Sequence, residues 1–227
     1  MAVTPPLQRS RLGLRLREGA AALGAALDDE QISRLLSYLA LIEKWNRVYN
    51  LTAVRDPADM LAQHLLDSLS IIQPLVRHQG SGPFRLLDVG SGAGLPGVVI
   101  AIVLPQAQVT CVDTVGKKAS FIQQVATELG LPNLRSEHAR VEQLAPKQAE
   151  VVTSRAFAAL ADFVELTRPH LKGGGVWIAM KGKAPADELT ALPPDVEVLQ
   201  IEPLQVPELA AERCLIWMRP TLSRTNL

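Results

Sequence analysis

An α/β fold, with a mostly parallel sheet covered by helices on both faces and preceded by a helical segment, is predicted from three observations. Between residues 85 and 180, short apolar runs of strand character alternate with amphipathic stretches of helix length. The hydrophobic period changes abruptly at residues 79–83, which hold two glycines, a serine and a proline. A glycine-rich turn from Asp88 to Gly97 then joins the first of the apolar runs to the first helix after the break. Strands separated by helices of this length form βαβ units, whose strands pair in parallel and are buried on both faces.

Over residues 7–49 the apolar residues recur at helical spacing, and Leu23, Leu27, Ile32, Leu35, Leu36, Leu39, Ile42 and Trp45 make one stripe. Asp28 or Asp29 can cap a helix that restarts within it, because a carboxylate accepts from the free N–H groups of a first turn. Trp45 falls on the stripe and reads as core rather than as a base-stacking platform. Pro57, after Asp56, opens a further helix in which Met60, Leu61, His64 and Leu65 share a face. Beyond the break come a strand at 85–89, a helix at 96–104, a strand at 107–112, a helix at 116–129 and a short strand near Leu134. A strand at 150–153, a helix at 160–170 and a strand at 176–180 follow. Residues 196–201 and 214–218 are strand-like, with only a proline-rich loop between them, and are expected to pair antiparallel at one edge. The chain thus divides into a helical segment, 1–80, packed on an α/β domain, 81–227, the two expected to form one structural unit.

The 227 residues suit one large domain or one domain with a helical extension. Lys plus Arg and Asp plus Glu both number 23, so no overall positive field draws the protein onto nucleic acid, and any RNA contact needs a local patch. Arg9, Arg11, Arg15 and Arg17 precede the first acidic residue, Glu18. They read either as a solvated face or frayed leader or as an RNA-contacting arm. Cys111 and Cys214 sit in apolar runs without His or Cys at metal spacing, so both are expected to be reduced core residues and no metal is expected. Arginines interrupt the N-terminus every few positions and no apolar run reaches about 18 residues, which predicts a cytoplasmic protein with no membrane segment. A monomer is expected.

In the turn, Gly90, Gly92, Gly94 and Gly97 allow positive φ and let a ligand approach backbone that no Cβ screens. The helix that follows offers unpaired N–H groups. The same glycines fit a dinucleotide pattern, so the turn alone leaves a nicotinamide enzyme and a methyltransferase both open. Asp88, at the head of the turn, would repel a pyrophosphate but can meet the ammonium of a methionine moiety, directly or through water. Asp113, ending the next strand, is placed for hydrogen bonds from both ribose hydroxyls and suits either cofactor. The C-terminal antiparallel pair is expected of methyltransferase sheets. Together these features point to S-adenosyl-L-methionine.

Further pieces of the sequence carry a resemblance. They are Trp45-Asn46 with Tyr49-Asn50-Leu51-Thr52, Val54-Arg55-Asp56-Pro57, the His64 to Ser68 stretch with Asp67, and the turn with Leu95-Pro96-Gly97. Asp113, Lys117, Ala139-Arg140-Val141-Glu142, Ser154-Arg155-Ala156-Phe157, Lys181-Gly182 and Glu212-Arg213 continue the series. On these pieces, in unbroken order over residues 35–218, the chain resembles the 16S ribosomal RNA guanine-N(7) methyltransferase G family, also called glucose-inhibited division protein B. The resemblance implies a class I S-adenosylmethionine-dependent methyltransferase fold, Rossmann-like and with seven strands. It implies a methyl-donor site at Gly90, Leu95, Asp113, Val141, Glu142 and Arg155, to which the turn adds Asp88, Gly92 and Gly94. It also implies an RNA-facing cluster of Asn50, His64, Arg140, Arg155 and Arg213, and 16S rRNA or the small ribosomal subunit as partner. Residues before Leu23 have no counterpart in it.

Nitrogen 7 of guanine has a free lone pair at neutral pH, so such a reaction needs no general base. Its demands are alignment and exclusion of water. Read without the resemblance, His64, a lone histidine on an apolar helical face, is more often a satisfied core group. Arg140 and Arg155 follow strands, where a guanidinium can fork onto phosphate or a guanine edge, but surface ion pairs fit them as well. Glu142 can accept from the adenine amino group with Val141 against the ring, or can simply open a helix. Lys181-Gly182 either lines a substrate mouth or closes a strand. Two other functions stay open at this point: a methyltransferase of the same fold acting on a small molecule or protein, and a noncatalytic RNA-binding assembly protein.

Overall fold

The structure, a computed structural model, describes residues 6–155, 157 and 159–221, with side chains from Ser10 onward. The helical segment comprises α1 (Pro6–Ala22), α2 (Asp29–Tyr49), α3 (Pro57–Met60), a π-helical turn (Leu61–Leu66), α4 (Asp67–Leu69) and α5 (Ile72–Gln79). The α/β part runs β1 (Phe84–Val89), α6 (Gly97–Val103), β2 (Ala107–Asp113), α7 (Gly116–Glu128), β3 (Leu134–His138), β4 (Ala149–Ser154), α8 (Leu160–Thr167), β5 (Leu171–Lys181), α9 (Ala186–Thr190), β6 (Val196–Leu204) and β7 (Arg213–Pro220).

The boundaries follow local chemistry. Asp28 caps α2 through a capping box, its side chain accepting from the Gln31 N–H while the Gln31 side chain accepts from the Asp28 N–H. Asp56 accepts from the Ala58 N–H at 2.7 Å ahead of Pro57, whose missing N–H costs nothing at a first helical position. The expected helix over 160–170 instead ends at Thr167 and closes as a 3-10 turn, Arg168–His170, because Pro169 cannot extend it. Strand β5 begins earlier than the expected 176, at Leu171, across three glycines that hide its character in the sequence.

The sheet order is β3-β2-β1-β4-β5-β7-β6, a seven-stranded sheet among the described residues. β1 to β5 pair in parallel, and β7 runs antiparallel to both β5 and β6. Alternate residues of each strand serve opposite faces: Leu86 belongs to the core cluster that also holds buried residues of α1, α2, α6 and α7, whereas Leu87 belongs to the one that holds Phe163 and Val164 of α8. Each fully buried Leu of this kind contributes roughly 1.5–3 kcal/mol.

The leader is not frayed over its described part, nor a free arm. α1 buries Leu12, Leu16 and Ala20, and a Cβ added at Gly19 would come within 2.6 Å of Leu66 Cδ2, so glycine permits the close approach. Arg15 pairs with Glu208 and donates to the Ala58 carbonyl, and Arg17 pairs with Asp29. The Arg9 side chain and Ala156 lie outside the described residues. Cys111 and Cys214 are both free and buried. No helix among the described residues is long and apolar enough to cross a membrane.

Candidate active site

The register places Asp88 opposite both Cys111 of β2 and Thr153 of β4, so the chain leaves β1, β2 and β4 at one edge of the sheet. The strand order reverses at β1, the point at which open α/β sheets receive their ligands.

The glycine turn lines one wall of this edge. Gly90, Gly92 and Gly94 have φ of 67°, 61° and 92°, a region that other residues occupy only with strain. A Cβ built on Gly90 or Gly92 meets nothing within 4 Å, so backbone faces open space at both, as a cradle for a ligand requires. At Gly94 the added atom would lie 2.4 Å from Val98 Cγ2, and at Gly97 2.4 Å from Cys111 Sγ, so these two glycines serve packing. Leu95 is buried behind the turn, and its peptide bond to Pro96 is cis.

Asp88 differs from its expected setting. It is wholly buried, and Oδ2 accepts the Gly97 N–H at 2.8 Å, which ties the strand to the start of α6. Burial pushes its carboxyl up to about 7, against the Gly97 hydrogen bond and the Arg155 charge, which favour ionisation. Asp113 accepts the Gly92 N–H on one oxygen at 2.9 Å and the Val115 N–H on the other at 2.8 Å, and each oxygen retains a lone pair. Next to it, Ala139 donates to the Asp113 carbonyl, which brings the 3-10 turn Val141–Gln143 alongside. Val141 is buried, Glu142 is exposed, and Arg140, with a side chain 68% exposed, has among the described residues an ion pair with Glu142 at 3.4 Å.

Across the edge, Gln63, His64, Asp67, Arg155, Met180 and Arg213 line a cavity of about 250 Å³. Buried Asp67 holds both arginines: Oδ2 accepts from Arg155 Nη1 at 3.1 Å and Oδ1 from Arg213 Nε at 2.8 Å. His64 Nε2 lies 3.0 Å from Thr52 Oγ1, and Thr52 in turn donates its N–H to Asn46 Oδ1 at 2.9 Å. Burial, with the Arg155 charge adding to it, lowers the His64 imidazole to about 4, so it is neutral near pH 7. Arg155 links the two walls, since its charge acts on His64 on one side and on Asp88 and Tyr38 on the other.

Of the RNA-facing candidates, the fold brings His64, Arg155 and Arg213 to one cavity. Asn50 stands apart as the exposed, left-handed C-cap of α2, with Arg55 3.4 Å from its Oδ1, and Arg140 lies on the Asp113 side. Lys181 is pulled inward to Glu188 and the Phe157 carbonyl rather than toward a substrate mouth. Asp67 and Tyr38 carry no role in the sequence reading. Asp67 is three residues after His64, a spacing that already placed it on the same helical face.

Comparison with known proteins agrees with this architecture. Residues 31–216 match the family model GidB, rRNA small subunit methyltransferase G. A protein of Leptothrix cholodnii named ribosomal RNA small subunit methyltransferase G is 61% identical over 205 residues, which is 90% of this chain and 94% of the relative. One of the same name from Methylibium petroleiphilum is 57% identical over 213 residues, 94% of this chain and 96% of that protein. Among solved structures, magnesium protoporphyrin IX methyltransferase from Synechocystis PCC 6803 with bound SAM aligns with a TM-score of 0.55. It covers 86% of this chain and 98% of its own, at 20% identity, and so shows the fold alone. The sheet order and the glycine turn, taken with these matches, define an S-adenosylmethionine-dependent methyltransferase of class I. More narrowly, the chain belongs to the rRNA small subunit methyltransferase G family.

Proposed function

We propose that the chain transfers a methyl group from S-adenosylmethionine to nitrogen 7 of a guanine in 16S rRNA of the small ribosomal subunit. The observation that carries this reading is the cavity across the sheet edge from the glycine turn, lined by two arginines, the aspartate between them and a neutral histidine. Such a lining suits an acceptor with an anionic backbone whose reactive nitrogen already has a free lone pair. The relatives' shared name supports the RNA class.

When bound, S-adenosylmethionine supplies a methyl group activated by its sulfonium. In this reading Gly90 and Gly92 admit the methionine end on a turn that Gly94 and Leu95 back by packing, and Asp113 accepts from the ribose hydroxyls. Val141 packs on the adenine and Glu142 accepts from its amino group. Asp88, buried beneath the turn, acts on the ammonium through water or through the turn that it fixes. Arg155 and Arg213 orient the RNA, while His64 packs against the acceptor without adding a charge. Asn50 and Arg140 contact RNA farther out. Because the acceptor needs no deprotonation, the residues' task is to align the reactants and exclude water, and such positioning is worth several kcal/mol. The protein is read as a cytoplasmic monomer in which residues 1–80 and 81–227 form one unit.

The test is incubation with methyl-labelled donor and small-subunit RNA or particles from cells lacking the modification, beside a panel of small molecules and proteins. Label in RNA guanine supports the reading. RNA that binds without acquiring label would identify a noncatalytic binding protein, and label in a panel member alone would move the substrate to that class.

A further inference from the structure

The cavity opposite the glycine turn holds an arrangement that neither the RNA reading nor the family comparison assigns. Asp67 is 3% exposed, and each of its carboxylate oxygens is taken by a different guanidinium. Arg155 Nη1 is fixed a second time by the Gln63 carbonyl at 3.0 Å, and Arg213 Nη1 by the Glu212 carbonyl at 2.9 Å. Both arginine side chains are about one-quarter exposed, at 25% and 26%, whereas the carboxylate between them is closed off. Among the described residues no hydrogen bond is seen from Arg155 Nη2 or Arg213 Nη2, so each guanidinium of the cavity lining retains N–H donors. Two positive charges against one negative leave a single positive charge in the cavity, and His64, uncharged near neutral pH, adds none.

What such a pair can grip follows from the acceptor's geometry. A guanidinium reads guanine by forking onto O6 and N7. Here nitrogen 7 must face the donor, so a fork on that edge would cover the atom that reacts. A phosphodiester remains: it carries one negative charge, matches the net charge of the cavity, and accepts in the planar fork geometry that guanidinium favours over ammonium. We propose that Asp67 is a positioning residue that holds Arg155 and Arg213 as a preformed pair for one phosphate of the substrate RNA, fixing the adjoining guanine in register with the donor. This rests on the RNA reading given above. Holding the arginines beforehand lowers the ordering cost of binding, whereas loss of the carboxylate leaves more positive charge for the phosphate; the two offset in affinity, so the effect of removing Asp67 falls on alignment in the transition state.

The test uses the full chain with small-subunit particles lacking the modification, and compares wild type, Asp67→Asn, Asp67→Glu and Arg213→Ala. An asparagine offers one acceptor oxygen and turns an N–H toward the second guanidinium, so the pair splays apart. For Asp67→Asn the expected result is a kcat lower by about a hundredfold. Its KM for RNA should stay within about threefold, since no phosphate-binding cation is removed, and donor affinity by calorimetry should be unchanged. Asp67→Glu keeps the charge and both oxygens and should regain most of kcat. If Asp67→Asn fails to fold on a melting curve, Arg213→Ala takes its place, with a comparable loss of kcat expected. An unchanged kcat in Asp67→Asn or Arg213→Ala overturns the proposal, and so does an Asp67→Glu variant as impaired as Asp67→Asn. Absence of RNA methylation by wild type overturns the RNA reading itself, a result seen before any variant is compared.

Discussion

Tyr38, buried within α2, donates its hydroxyl to the Ala93 carbonyl at 2.7 Å and so ties the helical segment to the glycine turn. Two turns further along the same helix, Asn46 receives the Thr52 N–H and donates to the Val54 carbonyl, and Thr52 in turn contacts His64. One helix therefore braces both walls of the site. The Tyr38 ring stacks on Phe121 of α7, whose first turn follows Asp113, so the brace reaches the ribose side as well.

Tyr38→Phe keeps the ring packing and removes only the hydroxyl, which leaves the Ala93 carbonyl without that partner. A lost hydrogen bond of this kind is worth about 1 kcal/mol, equivalent to about fivefold in affinity if it falls on the donor site. Titration calorimetry with S-adenosylmethionine should show that weakening, with a melting temperature only slightly lowered. Unchanged affinity would mean that the brace does not shape the turn.

The glycines of the turn should separate by function. At Gly92 a side chain enters open space, so Gly92→Val should abolish donor binding, with a fold penalty of about 1–2 kcal/mol from the left-handed backbone. At Gly94 the new Cβ runs into Val98, so Gly94→Val should lower the melting temperature far more. Normal donor binding by a folded Gly92→Val protein would remove the turn from the site.

Much of this was legible in the sequence, and the exceptions have physical causes. Strand and helix periods located β1 to β4 and the terminal antiparallel pair, since buried parallel strands and amphipathic helices leave strong patterns. The early start of β5 was hidden by Gly173–Gly175, whose composition suggests a loop and which lie at an irregularity between the Leu171–Ala149 pair and the Val176–Val151 pair. The leader was ambiguous because charge spacing does not reveal that Arg15 and Arg17 find acidic partners in other elements. His64, Arg155 and Arg213 came from a resemblance, since no local pattern unites residues so far apart in the chain. Asp67, which joins two of them, was visible only as a neighbour of His64. Asp88 was assigned from charge alone, and the structure adds that its carboxylate is buried and bound to Gly97.

Two buried groups should shape the dependence of stability on pH in opposite directions. Asp88 has a folded pKa raised from 3.8 to about 7, so its contribution is greatest below about 4 and is lost as pH rises toward 7. His64 has a folded pKa lowered from 6.5 to about 4, so its contribution is present above about 6.5 and is lost as pH falls toward 4. Denaturant unfolding of Asp88→Asn, in which the amide oxygen can still accept from Gly97, should gain stability relative to wild type as pH rises from 4 to 7. A constant difference across that range would show that Asp88 ionises normally.

Arg140 is exposed and paired only loosely with Glu142, and exposed pairs of this kind contribute about 0–1 kcal/mol. Arg140→Ala should therefore leave the melting temperature unchanged. If the side chain contacts an RNA phosphate, the slope of log affinity against log salt should fall by about 0.7 for a single-stranded contact. An identical slope for variant and wild type would exclude that contact.

The most direct test of the account locates the methyl group on the RNA. Methylation of nitrogen 7 weakens the purine ring, so reduction and mild amine treatment cleave the strand at the modified nucleotide. Small-subunit particles lacking the modification, treated with the protein and S-adenosylmethionine, should yield one new cleavage at a guanine, absent with the Gly92→Val protein. Methyl transfer to the RNA without cleavage at any guanine, or no transfer at all, would contradict the account.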